Sequence, residues 1–443
     1  MYTKSHLEWR ICSIVCFLGL LIQVIDGTDV PMTILKSAVA KGAVCLDGSP
    51  PAYHLDPGSG SGINNWIVHM EGGGWCKDTK ECLERKDTYR GSSKNMPPQG
   101  FSGMLGNVKV FNPDFYNWNR VKVRYCDGSS FTGDVEKVDP KTNLHYRGNR
   151  IFLAIIEDLL AKGMNKAQNA LLSGCSAGGL ASILHCDKFQ TLLPKNATVK
   201  CFADAGYFID GTDITGGHAI RAFYQDVINT HVCLLSIVFF LIKLPTISYV
   251  QISFLVSCFN NSCSIEVTTS SSFFFLQEST KNLPASCTSK HPPPLCFFPQ
   301  YVVQSMRTPL FILNAAYDTW QVKNILAPGT VDHGNTWQDC KVYIKKCNST
   351  QLTKLQDFRS EFLKAIPQNT SLTGMFIDSC YAHCQTGDLN TWFSKDSPSI
   401  QKTSIGEAVG NWFFERKAPQ KLIDCPYPCN PTCKNVELIT NKN

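Results

Sequence analysis

The 443-residue chain contains no run of lysine and arginine, and its net charge is only +6. A nucleic-acid binder needs a concentrated cationic track, so no nucleic-acid partner is expected. Mild positive charge favours an acidic partner or substrate, and only weakly. Long apolar runs are missing too. The stretch Cys12 to Ile25 is broken by Gln23 and falls short of the roughly 18 residues that read as a membrane span. Stable membrane insertion is therefore not expected. Paired C-x₂-C spacing is absent from the cysteine-rich tail Cys425, Cys429 and Cys433, which argues against a zinc site there. No metal and no cofactor are expected, and nothing calls for an oligomer, so the protein reads as a monomer.

What is present points to export. Lys4 and Arg10 precede the apolar stretch, and Gly27-Thr28 offers small residues for cleavage. Residues 1–27 read as a secretory signal, and 28–443 as one domain. Cysteine is abundant at 21, and behind a signal this means disulfides in an oxidising compartment. Close pairs such as Cys76/Cys82, Cys287/Cys296 and Cys340/Cys347, with the tail cluster, look like loop staples. The sequons at Asn196, Asn260, Asn348 and Asn369 fit the same route.

Chemistry is declared at Ser173-Gly174-Cys175-Ser176-Ala177-Gly178-Gly179. An apolar strand-like run, Ala170-Leu171-Leu172, enters it. A helix-like run, Leu180 to Leu184, leaves it. Between them lies a G-x-S-x-G turn, whose small residues allow a tight bend that lifts the Ser176 hydroxyl above a sheet. The Ala177 N–H then opens a helix and faces any oxyanion formed there.

Taken in order, the chain alternates strands and helices. Thr33 to Cys45 reads as a first strand or two. Trp66–Met70 is a strong strand that runs into Glu71-Gly72-Gly73-Gly74-Trp75, the place for a second set of oxyanion N–H groups at Gly74 and Trp75. Val121–Cys126 is the next strand. Its polar loop Asp127–Asp134 stands where open sheets hold ligands. Helices are expected at 149–160, 217–230, 352–366 and 405–414. Strands are expected at 199–204, 309–314 and 374–378, the last taken as final. The pattern is α/β, hydrolase-like: a mostly parallel sheet with helices on both faces.

That fold orders its catalytic groups as serine, acid, histidine. Asp204 and Asp318 both close strands after Ser176, and Asp318 is nearer the final strand. His333 and His383 alone follow Asp318. His383 follows the final strand and is flanked by Cys380 and Cys384, so the expected triad is Ser176, Asp318 and His383. His383 would take the Ser176 proton during attack on an ester carbonyl, with Asp318 orienting the imidazole.

These residues carry a resemblance. Glu71–Cys76 (E-G-G-G-W-C), the elbow S-G-C-S-A-G-G, Asp204–Asp210 (D-A-G-Y-F-I-D), Asn314–Asp318 (N-A-A-Y-D) and Asp378–Gln385 (D-S-C-Y-A-H-C-Q) together resemble the plant pectin acetylesterases, relatives of the animal carboxylesterase Notum. The resemblance implies a secreted cell-wall serine esterase that removes acetyl groups from the galacturonan of pectin. It implies the same three catalytic residues. Two other readings stay open: a carboxylesterase removing a lipid acyl group from a protein, and an inactive wall-binding homologue.

One segment departs from the family. Val232 to Gln277 intervenes where His231 should run almost directly into Lys281. Valine codons begin with GT, as intron donors do, and Gln277 can be encoded by CAG, as acceptors end. Ser270–Leu276 is what a pyrimidine tract would encode. A lipid-binding insert and a packed lid are other readings of the segment; the preferred one is a translated intron, expected to be unpacked. Setting aside the signal and this segment leaves sixteen cysteines. Cys175, beside the nucleophile, is expected to be a free buried thiol, which leaves one more unpaired.

Overall fold

The computed structural model describes residues 28–231, 235–244, 247–259, 262–268, 282–368, 372–418 and 421–435. The signal segment 1–27 and the sequons at Asn260 and Asn369 lie outside the described residues. Nine strands build the central sheet: β1 (Met32–Ile34), β2 (Ala52–Asp56), β3 (Asn65–Met70), β4 (Asn119–Val123), β5 (Asn169–Cys175), β6 (Thr198–Asp204), β7 (Leu310–Ala315), β8 (Thr373–Asp378) and β9 (Lys421–Ile423). Their spatial order is β9-β8-β7-β6-β5-β3-β4-β2-β1. The seven from β9 to β4 run parallel, and β2 and β1 extend the sheet by antiparallel pairing.

Parallel strands are covered on both faces, which explains their unbroken apolar runs. Alternate residues enter two separate cores. Leu172, Ala203, Ile312 and Met375 face one. Leu171, Phe202, Phe311 and Phe376 face the other. Helix α2 (Gly148–Ala161) lays Ile151, Ile155 and Leu159 on the first core. Helix α6 (Ile405–Phe413) lays Ile405, Val409 and Phe413 on the second. Helix α1 (Thr79–Lys86) follows the glycine loop, α3 (Ala177–Leu184) the elbow, and α4 (Ala219–His231) leads to the intervening segment. Helix α5 (Ser349–Ala365) starts on an Asn348 capping box, so one sequon side chain is engaged at a helix cap.

Two expectations need correction. The strand at Thr373–Asp378 is not final, because Lys421–Ile423 pairs beyond it. Of the stretch 33–45, only Met32–Ile34 is strand, and Lys36–Lys41 is a 3₁₀ turn. Within 232–277, strands Leu235–Leu244, Ile247–Phe259 and Ser262–Thr268 pair antiparallel in a sheet of their own. The rest of that segment lies outside the described residues.

Among the described residues, sixteen cysteines form eight disulfides: Cys45–Cys126, Cys76–Cys82, Cys175–Cys384, Cys186–Cys201, Cys287–Cys296, Cys340–Cys347, Cys380–Cys433 and Cys425–Cys429. The expected pair of free thiols is therefore wrong. Cys175 is bonded to Cys384, a partner 209 positions away that local spacing does not reveal.

Candidate active site

Four loops meet at the C-terminal ends of parallel strands, where an open α/β sheet leaves its crevice. They follow β3, β5, β7 and β8. The elbow after β5 holds Ser176 at φ 59 and ψ −127, a conformation that costs a non-glycine residue of order 1–3 kcal/mol. Its surroundings over-determine it. The Ser176 N–H donates to the Asp204 carbonyl at 2.9 Å, and its carbonyl accepts the Leu180 N–H at 2.9 Å. A Cβ on Gly178 would collide with the Met70 carbonyl, so helix α3 reaches the sheet only because that residue is glycine.

The Ser176 hydroxyl lies 2.9 Å from His383 Nε2, and His383 Nδ1 lies 2.7 Å from Asp318 Oδ2. Asp318 is buried, and its other oxygen accepts the Gln321 N–H at 2.9 Å. His383 is 21% exposed. Burial pushes its pKa down, but the charge and hydrogen bond of Asp318, with the charge of Asp204, lift it above the ordinary histidine value. The structure thus brings Ser176, Asp318 and His383 into one hydrogen-bonded chain. His333 is exposed, outside this group.

The glycine loop after β3 is turned by bonds on its outer side. Arg85 Nη2 donates to the Gly73 carbonyl at 2.8 Å, and the Tyr125 hydroxyl donates to the Gly74 carbonyl at 2.8 Å. Gly74 stands at φ +67, the left-handed region that suits glycine. The N–H groups of Gly74, Trp75 and Ala177 donate to no group among the described residues.

The polar loop Asp127–Asp134 has a different job from the one expected. Ser129, Ser130 and Thr132 are buried. Ser130 accepts from Trp75 Nε1 at 2.8 Å and donates to the Ala177 carbonyl at 2.7 Å. This loop is a brace joining the glycine loop to the elbow, not an open ligand shelf.

Asp204, the acid not chosen for the triad, clamps the histidine loop. Its Oδ2 accepts from Gln385 N–H at 2.8 Å, Thr386 N–H at 2.8 Å and Thr386 Oγ at 2.7 Å. Burial pushes its pKa up to about 6. Asp378 holds the Gln385 side chain at 2.8 Å and is pushed by burial to about 7. Cys175–Cys384 then ties the residue before Ser176 to the residue after His383. Neither the brace residues nor this clamp was apparent in the sequence, although Asp204 stands in one of its distinctive runs. Among the described residues, three clusters place cysteine near His or Asp, but their cysteines are oxidised pairs, and a zinc site needs thiolates.

The profile described as Pectinacetylesterase matches residues 24–275 and 254–434. Pectin acetylesterase 7 of Arabidopsis thaliana is 53% identical over 94% of this chain and 95% of its own. Pectin acetylesterase 11 of the same plant is 52% identical over 95% and 96%. The palmitoleoyl-protein carboxylesterase notum1a of Danio rerio is 26% identical over 88% of this chain and 70% of its own. Among solved structures, the Wnt deacylase Notum from Drosophila aligns with TM-score 0.68 at 20% identity, covering 92% of this chain and 99% of that one. That last likeness concerns the fold, and the fold is the mixed sheet described above. With the profile spanning nearly the whole chain, and plant relatives above half identical end to end, the chain belongs to the pectinacetylesterase family.

Proposed function

We propose that this protein is a serine esterase that hydrolyses acetyl esters of pectin in the plant cell wall, reached by secretion. The observation that carries the reading is the hydrogen-bonded chain from Ser176 through His383 to Asp318. Ser176 Oγ attacks the acetyl carbonyl while His383 takes its proton. The tetrahedral oxyanion meets the N–H groups of Gly74, Trp75 and Ala177. His383 returns the proton to the leaving sugar hydroxyl, and an acetyl-enzyme remains on Ser176. Water activated by His383 then releases acetate.

Ring packing beside the histidine favours a small acyl group. Phe208 lies 6.4 Å from His383, centroid to centroid. It packs edge to face with Trp75 at 5.0 Å and Trp320 at 4.9 Å. Space filled by rings is closed to a long chain, which weighs against a lipid-removing activity of the kind named for notum1a.

The test is acetate release from acetylated homogalacturonan. Ser176→Ala should lower the rate at least about a thousandfold. Equal rates from the folded variant and its parent would refute the mechanism.

A further inference from the structure

Gly72 and Gly73 run directly past the nucleophile. A Cβ on Gly72 would sit 2.8 Å from the Ser176 Cβ. Against the next residue, Gly73, lies the side chain of Arg90. A Cβ there would stand 3.0 Å from Arg90 Nε. With about 3.8 Å between consecutive Cα atoms, this chain of contacts places the Arg90 guanidinium on the order of 10 Å from Ser176.

Arg90 is exposed and meets no carboxylate among the described residues. Its guanidinium lies over the ring of Tyr89, 5.1 Å from the centroid. Six other arginines, Arg120, Arg124, Arg147, Arg150, Arg221 and Arg416, each meet an acid; Arg85 and Arg359 instead donate to backbone carbonyls, and of the arginines without a carboxylate Arg90 is the exposed one set against the glycine loop. Arg90 also has a like-charged neighbour. Arg85 donates Nε–H to the Arg90 carbonyl at 3.2 Å while its Nη2 holds the Gly73 carbonyl. Burial first, and the Arg90 charge with it, depress the Arg85 pKa. An exposed guanidinium with a second arginine near it, neither ion-paired to a carboxylate among the described residues, is a place that an anion stabilises.

We propose that Arg90 is the carboxylate-binding subsite of this esterase, gripping a free galacturonate carboxylate close to the sugar whose acetyl ester is cleaved. The proposal rests on the pectin reading above and narrows it. A guanidinium forks onto an ionised carboxylate through two parallel N–H bonds and gains nothing comparable from a methyl ester. The preferred substrate is then acetylated galacturonan with its carboxyl groups free. Hydrolysis of carboxyl methyl esters is the class of reaction that supplies it.

The experiment compares acetylated homogalacturonan with and without methyl-esterified carboxyls, and uses 4-nitrophenyl acetate as a neutral ester. Parent enzyme, Arg90→Gln and Arg90→Lys are assayed for KM and kcat at fixed ionic strength. For the parent, KM should be about three- to tenfold lower on the unmethylated polymer. Arg90→Gln should erase that preference, raising KM on the free-acid polymer far more than on 4-nitrophenyl acetate, with kcat little moved. Arg90→Lys should retain part of the preference. A preference that survives Arg90→Gln undiminished overturns the subsite. So does a parent that takes both polymers equally. A parent that cleaves 4-nitrophenyl acetate but releases no acetate from either polymer overturns the pectin reading, and the subsite falls with it.

Discussion

Replacing Cys175 and Cys384 together with serine separates two devices that hold the histidine loop. The bridge spans 209 positions. In the chain-entropy account its removal costs about 5 kcal/mol at 25 °C, since the loop term grows only with the logarithm of length. The bridges Cys186–Cys201, Cys287–Cys296 and Cys340–Cys347 lie inside that span. They shorten the effective loop by a small fraction, so the logarithm barely changes. For roughly 400 ordered residues, 5 kcal/mol corresponds to a Tm drop of about 6 °C. Activity should respond differently. The Asp204 carboxylate still accepts three hydrogen bonds from Gln385 and Thr386, each costing about 1.5–3 kcal/mol to lose. His383 therefore stays seated, and kcat at 25 °C should fall less than about tenfold. Calorimetry gives the Tm, and initial rates on 4-nitrophenyl acetate give kcat. A variant with native circular dichroism whose kcat drops more than about a hundredfold would show that the disulfide, not the carboxylate, positions the base.

Two further outcomes follow from the same geometry. His383 must be neutral to accept the Ser176 proton, and its pKa is raised, so the acid limb of kcat/KM should lie above the ordinary histidine value. Asp318 and Asp204 are the charges that raise it, with Asp378 behind Asp204. Asp204→Asn keeps an acceptor for the loop but removes one charge, and should move that limb to lower pH; a limb that stays in place would reduce Asp204 to a neutral brace. Removing residues 232–277 should leave a folded esterase. The ends of the segment approach one wall: Asp134 N–H donates to the His231 carbonyl at 3.3 Å, and Asn149 Nδ2 donates to Asn282 Oδ1 at 3.0 Å. Residues 278–281 can bridge up to about 17 Å when extended. Transcripts retaining the segment throughout, or an insoluble deletion product, would sink the intron reading.

The elbow was legible because its constraints are local. Gly174, Ser176 and Gly178 fall within five consecutive residues, and a Cβ on Gly174 would strike the Gly178 carbonyl inside the turn itself. The strands were legible because two-sided burial demands continuous apolar runs. Asp318 and His383 were reachable through chain order and a shortage of histidines. Other features depend on distant partners. Nothing near Cys175 announces Cys384. Ser130 looks like any loop serine until Trp75 and Ala177 close on it. Lys421–Ile423 is three residues with one buried side chain, too short to carry a period, and only its pairing with β8 makes it a strand.

Asp204 binds the nucleophile through its main chain and the base loop through its side chain. Serine and histidine are thus referenced to a single point on β6. When the sheet twists or breathes, both travel with that strand, and the gap between them is spared the relative motion. Asp318 has no share in this anchor. It lies in the turn after β7, one strand over, and that turn meets the histidine loop through the Asp318 side chain and the Thr319 N–H bond to the Ala382 carbonyl at 3.2 Å. The proton-transfer pair therefore shares one anchor on β6, and the orienting acid is carried by a second, joined to the first through the histidine loop.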